Sequence, residues 1–76
     1  MAIKEKIALR IKQLRTEQQL TQEELAWRAN VDRTYMNHVE NGRRNISVEV
    51  LERIITSGLE KSFSEFFNCK EFKRLK

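Results

Sequence analysis

Two helix-start signals stand close together near the middle of this chain and limit what it can fold into. Thr21 is followed three residues later by a glutamate, the capping-box pattern that begins a helix. Asp32 can cap a second helix, which Gly42 is suited to end. Between them, Asn30 tolerates the left-handed conformation of a tight turn. Two short capped helices joined in this way have the spacing of a helix-turn-helix, which we expect over about residues 21–41.

Helical signals also cover the rest of the chain. Isoleucine and leucine recur at helical spacing in the first segment, and Ser47 and Ser62 stand where two later helices begin. The few adjacent apolar pairs are too short for strands. The sequence therefore predicts an all-α fold of five helices, over about residues 3–18, 21–30, 32–41, 47–58 and 63–72.

The chain is long enough for one domain only, expected over residues 1–76. Domains of this size often rely on disulfides, metals or a partner subunit. Cys69 is the only thiol and His38 the only imidazole, so neither an internal disulfide nor a Cys/His metal site can form. We therefore expect no metal and no cofactor, and a second copy of the chain remains as the stabiliser.

The N-terminal segment alternates charged and apolar residues without a long hydrophobic run. It is expected to be neither a signal peptide nor a membrane span, and a cytoplasmic protein is predicted. The net charge of +4 and the pI near 9.6 point weakly to nucleic acid. The basic excess lies at the two ends, in residues 1–20 and 61–76, so bulk charge alone does not identify the partner.

The residue pattern does not support catalysis. The sequence has no paired acid and base set, no nucleophile with a histidine nearby and no glycine-rich phosphate loop. It is also too short for a deep pocket. We therefore expect a protein that is not an enzyme and that has no small-molecule ligand.

The third predicted helix has one apolar side and one polar side. With Met36 facing inward, Val39 and Glu40 share its side at about 100° per residue. The opposite side carries short uncharged polar residues, namely Thr34, Asn37, His38 and Asn41. Such side chains suit a major groove about 12 Å wide, and Arg33 could reach guanine O6 and N7. This side predicts contacts with DNA bases, and an ordinary solvated helix face is the alternative.

Residues at the edges of the motif are suited to hold phosphates. Gln22 combines a side-chain amide with the free N–H groups of a helix N-terminus. Arg43, Arg44 and Asn45 follow the third helix, and Ser47 caps the next one, so these residues could contact the adjoining DNA strand. The alternative is that the two arginines are solvated charges.

Two aromatic residues near the motif are open to more than one interpretation. Tyr35 could pack against a sugar or a thymine methyl group, or lie half-buried in the core. Trp27 points away from the apolar residues of its own helix. We expect it to fold over neighbouring helix stems and Val31, and a partner surface is the alternative.

The C-terminal segment is unusually aromatic for so small a core. Phe63, Phe66 and Phe67, followed by Phe72, supply more ring surface than four short helices need. We therefore expect the helix over about residues 63–72 to form a dimer interface through Phe63, Phe66 and Phe67, with Cys69 as a free thiol near it. The alternative is that all four rings fill the core of the monomer.

The central segment resembles a known family. The stretch LTQEELAWRANVDRTYMNHVENGRRNIS resembles the DNA-binding domain of the Cro/phage-repressor-like (XRE) family, and DRTYMNHVENGRRNIS resembles controller proteins of restriction-modification systems. The likeness covers roughly residues 7–67. It implies a lambda-repressor-like fold. Asn37 departs from the serine that is frequent at this point in controllers, and Gln19 and Asn30 stand where glycine is common.

The resemblance also implies roles for individual residues. It implies a partly buried salt bridge between Arg10 and Glu40 that joins the first and third helices. Together with the residue pattern, the resemblance leads us to expect contacts with DNA bases from Arg33, Thr34, Tyr35, Asn37 and Arg44. The expected contacts with phosphates are Thr21, Gln22, His38, Asn41, Arg43, Asn45 and Ser47.

The function expected from the sequence is a sequence-specific transcriptional regulator that binds double-stranded DNA as a homodimer on a near-palindromic operator. A restriction-modification controller is the preferred interpretation. A phage-type or antitoxin-type repressor is the alternative, and a protein-interaction module that has lost DNA binding is a third hypothesis. The presence of Arg33, Arg44 and Gln22 argues against that third hypothesis.

Overall fold

The computed structural model describes residues 1–73, so the last three residues of the predicted domain lie outside the described residues. The prediction of an all-α fold is confirmed, and within the described part there is no strand. No helix there is long and apolar enough to cross a membrane. Residues 1–73 contain five α-helices, α1 (Ile3–Glu17), α2 (Gln22–Ala29), α3 (Arg33–Glu40), α4 (Val48–Arg53) and α5 (Phe63–Phe67).

The caps of α2 and α3 form as the sequence indicates. The Thr21 hydroxyl accepts from the Glu24 N–H at 3.0 Å, and the Glu24 carboxylate accepts from the Thr21 N–H at 2.8 Å. The hydrogen bond from the Thr21 backbone lowers the pKa of Glu24. Asn30 adopts the left-handed conformation, with φ 56° and ψ 49°, and the Asp32 carboxylate accepts from the Tyr35 N–H at 3.3 Å. These local bonds fix the turn between α2 and α3.

The core lies between α1, α2, α3 and the segment after α4. Ile11, Leu25, Met36 and Ile54 are fully buried there. α4 continues into a turn of π-helix over Ile54–Gly58. A side chain at Gly58 would meet Leu25, because a Cβ atom would lie 2.6 Å from Leu25 Cδ1. The close approach of this glycine therefore allows α2 to pack directly on the π-helical turn.

The buried ion pair differs from the one that the resemblance implied. Arg15, and not Arg10, contacts Glu40, with Nε 2.7 Å from Oε2. Arg10 and Arg15 flank the apolar stripe of α1 on opposite edges, about 140° apart. α3 packs on the Arg15 side. On the other side, Arg10 donates to the carbonyl oxygens of Glu65 and Phe66, and so joins α1 to α5.

The C-terminal segment is not one helix. α5 ends at Phe67, and a turn of 3₁₀-helix over Lys70–Phe72 follows. Phe66 is fully buried in the monomer, so its assignment to a dimer interface is wrong. Phe67 and Phe72 are partly buried against the core with ring centroids 4.8 Å apart. Phe63 remains 37% exposed, so the alternative in which all four rings fill the core does not hold either.

Trp27 is 81% exposed, so the expectation that it folds over neighbouring helices is wrong. Ala26 and Ala29 are buried on the side of α2 that faces the core, whereas Trp27 lies on the side that faces solvent. Val31 packs against the core.

Replacement of Arg15 by methionine is expected to destabilise the fold by about 3–5 kcal/mol, because it leaves the buried Glu40 carboxylate without its cation. Urea unfolding measures the change. Lys12→Met is the matched control, since Lys12 lies exposed on the same helix. Equal unfolding midpoints for the two variants would contradict the role of Arg15.

Candidate nucleic-acid interface

The outer side of α3 is the surface that the sequence pattern predicted. Met36, Val39 and Glu40 are buried on its inner side. The outer residues Arg33, Thr34, Asn37 and Asn41 are exposed, and His38 is partly buried. The helix therefore presents a short strip of polar groups to solvent while its opposite side is fixed in the core.

Tyr35 lies at the flank of this strip in the half-buried position that was one of the two interpretations considered for it. Its side chain is partly buried and packs against the core. Its hydroxyl lies 3.5 Å from the carbonyl oxygen of Asn45, and the Arg44 guanidinium carbon lies 5.9 Å from its ring centroid. Tyr35 therefore joins α3 to the loop that follows and holds Arg44 beside the strip.

The loop after α3 carries its basic residues outward. Gly42 has φ 71° and turns the chain at the end of the helix. Arg43, Arg44 and Asn45 then lie exposed. Ser47 caps α4 by accepting from the Val50 N–H at 3.1 Å. These residues lie beyond the C-terminal end of α3, next to the polar strip.

Arg33 stands at the other end of the strip, next to α2. Its guanidinium lies 3.3 Å from a carboxylate oxygen of Glu23, and both side chains are about 70% exposed. A surface pair of this kind contributes only about 0–1 kcal/mol. The Arg33 side chain can therefore leave Glu23 for a base at small cost.

Gln22 has partners that the sequence did not reveal. Its amide nitrogen donates to Glu40 Oε1 at 3.0 Å, and its oxygen accepts from Asn37 Nδ2 at 3.0 Å. Asn37 Oδ1 in turn accepts from Asn41 Nδ2 at 3.2 Å. A buried glutamate on the inner side of α3 was a signal that polar partners had to exist, because buried carboxylates need donors. The structure thus brings Gln22, Asn37 and Asn41 together into one row.

The remaining expected contacts fall around this row. Thr21 is exposed at the start of α2, although its hydroxyl already serves as the helix cap. Within residues 1–73, no group of three acidic, histidine or cysteine side chains could hold a metal ion. The strip offers hydrogen-bonding groups flanked by the cations Arg33, Arg43 and Arg44. Such an arrangement suits base edges flanked by phosphates.

Comparison with known proteins agrees with this geometry. A family model described as a helix-turn-helix domain matches residues 6–56, so the class is helix-turn-helix. Control protein C.MunI from Mycoplasma sp is 42% identical over 67 residues, covering 87% of this chain and 89% of its own. Control protein C.BamHI from Bacillus amyloliquefaciens is 30% identical over 70 residues, covering 84% and 86%.

The solved structures point the same way. The restriction-modification controller protein C.Esp1396I has 40% sequence identity and a TM-score of 0.81, with 88% of each chain covered. The chain therefore belongs to the family of helix-turn-helix controller proteins of restriction-modification systems. The resemblance seen in the central segment is confirmed.

Replacement of Arg33 and replacement of Arg43 are expected to change DNA binding in different ways. Arg33→Ala should cost roughly 1–3 kcal/mol at one guanine position and relax the preference there, because the expected bidentate contact would be lost. Arg43→Ala should weaken binding to all sequences about equally and lower the salt slope by about one. Binding titrations on an operator and on random duplexes measure both effects.

Equal losses on operator and random DNA for both variants would show that Arg33 does not contact a base.

Proposed function

We propose that this chain regulates transcription of a restriction-modification system by binding double-stranded operator DNA through α3. The observation that carries the proposal is the exposed polar strip on the outer side of a helix whose inner side is buried. C.Esp1396I, a relative of known structure, has been solved bound to a 25 base pair operator site. It has also been crystallised as a tetramer on its natural 35 base-pair operator.

The proposed contacts follow from where the side chains lie. Bases would be met from α3 and its flank, and phosphates from the start of α2, the far end of α3 and the loop after it. For bases we propose Arg33, Thr34, Tyr35, Asn37 and Arg44. For phosphates we propose Thr21, Gln22, His38, Asn41, Arg43, Asn45 and Ser47. Gln22 would use its backbone N–H and the second hydrogen of its amide, because the first is donated to Glu40.

We propose that the regulator acts as a homodimer through its C-terminal aromatic surface. Phe63 is exposed, with its ring centroid 6.3 Å from that of Phe67, which is itself only partly buried. A two-fold dimer would place two copies of α3 about 34 Å apart on successive major grooves. A near-palindromic operator would match that symmetry.

A repressor of the phage type is the second candidate. The immunity repressor protein of Bacillus phage phi105 is 42% identical over 48 residues, which is 63% of this chain and 33% of that protein. The match spans only a third of the repressor, whereas the controllers match over most of their length. A reporter gene behind the operator separates the candidates, since a controller is expected to activate at low and repress at high concentration.

We propose that the protein acts without catalytic activity, cofactor or small-molecule ligand. The family to which the chain belongs consists of DNA-binding regulators. We propose that the protein works in the cytoplasm, where it would reach the DNA that it controls.

Selection from a random pool of duplexes is expected to recover a repeated half-site, because two copies of one strip would contact two grooves. The affinity for that site should fall steeply with salt, with log K dropping about 0.9 per phosphate neutralised. Fluorescence anisotropy at several salt concentrations measures the slope. A pool without enrichment at low ionic strength would contradict the proposed function.

Phe63→Ser is expected to weaken dimerisation by about 2 kcal/mol, since a partly exposed ring near the centre of an interface is a typical anchor. Sedimentation equilibrium measures the association constant. Val48→Ser is the matched control, because Val48 is 72% exposed and lies on α4, outside the aromatic surface. Equal association constants for the two variants would place the interface elsewhere.

A further inference from the structure

A buried charge lies at one end of the row of amides formed by Gln22, Asn37 and Asn41. The Glu40 side chain is 1% exposed and its Oε2 accepts from Arg15 Nε at 2.7 Å. A carboxylate paired with a guanidinium can only accept hydrogen bonds. Gln22, which contacts Glu40 Oε1 at 3.0 Å, must therefore turn its NH₂ group to the carboxylate. Its oxygen is then directed toward Asn37.

The orientation of the Gln22 amide determines that of the next amide in the row. The Gln22 oxygen accepts from Asn37 Nδ2 at 3.0 Å, and Asn37 Oδ1 accepts from Asn41 Nδ2 at 3.2 Å. Reversal of the Asn37 amide alone would set its oxygen against the oxygen of Gln22 and its NH₂ against the NH₂ of Asn41. The amide of Asn37 therefore has one favoured orientation, with its nitrogen toward α2 and its oxygen toward the C-terminal end of α3.

The orientation matters because Asn37 is exposed on the side of α3 that faces the groove in the proposed function. One hydrogen on Nδ2 and one lone pair on Oδ1 are not used within the row. An amide that presents a donor and an acceptor side by side is the partner of adenine in the major groove. Exchange of A·T for T·A reverses the order of donor and acceptor across the groove. An amide of fixed orientation therefore distinguishes the two, whereas a freely turning one accepts both.

We propose that Glu40 is a positioning residue for base recognition, which acts through Gln22 to hold the Asn37 amide in the orientation that selects A·T over T·A at one operator position. The inference rests on the proposed function, because it requires α3 in the major groove. Glu40, which is buried, would in this way contribute to specificity through Gln22 and Asn37.

The test uses an operator recovered by selection and four duplexes that differ only at the position where Asn37→Ala changes preference. Wild type is compared with Gln22→Leu, which removes the link between Glu40 and Asn37 and leaves the Arg15–Glu40 pair in place. Gln22→Lys is the second variant. Its ammonium can donate to Glu40 but can offer Asn37 only a donor, so the Asn37 amide should turn over.

The ratio of affinities for the A·T and T·A duplexes is the measured quantity. For wild type it should be about 5- to 150-fold, the discrimination expected of one bidentate contact. Gln22→Leu should bring the ratio near one, and Gln22→Lys should invert it. Gln13→Leu is the matched control, because Gln13 is an exposed glutamine on α1, and it should keep the wild-type ratio.

If Gln22 has only a structural or a phosphate-binding role, the affinity ratio is expected to behave differently. The variants would then weaken all four duplexes by one factor and leave the ratio unchanged, which would overturn the proposal. An Asn37→Ala variant that changes no base preference would also overturn it, while enrichment of an operator by wild type would leave the proposed function standing. Circular dichroism checks the fold. If Gln22→Leu does not fold, Gln22→Lys provides the test. Inversion of its affinity ratio would support the proposal, and retention of the wild-type ratio would overturn it.

Discussion

The buried carboxylate of Glu40 is the contact on which the arrangement of the first three helices depends. Arg15 from α1 and Gln22 from α2 both donate to it, so one residue of α3 joins three helices. Arg15 also donates to the carbonyl oxygen of Leu20, at the turn before α2. A buried charge requires such partners, since an unpaired one is costly. The position of α3 is thereby coupled to both of its neighbours.

α3 has eight residues, and a helix of that length is marginal in water by itself. Asp32 caps its start, Met36 and Val39 are buried in the core, and Glu40 fixes its end. The buried contacts of α3 lie on its inner side, and its outer side carries exposed polar groups, some of which hydrogen-bond to one another and to Gln22. That division explains how so small a domain can present a rigid polar strip to DNA.

The helix starts and the sides of α3 were predictable from the sequence because caps and helical period are local. Thr21, Asp32, Ser47 and Ser62 each accept from a backbone N–H within their own helix, so no distant partner had to be known. The row that joins Gln22 to Asn37 was not predictable, since the two residues come from different helices. Its existence depends on how closely α2 and α3 pack.

The sequence by itself therefore determined an all-α chain with a helix-turn-helix and an outward polar strip, because these follow from short-range geometry. Only the tertiary structure decided which arginine meets Glu40, since Arg10 and Arg15 flank the same apolar stripe and differ only in which helix lies beside each. It also decided that Phe66 is buried while Trp27 stays in solvent. Exposure of an aromatic ring depends on which elements pack over it, and helical spacing does not contain that information.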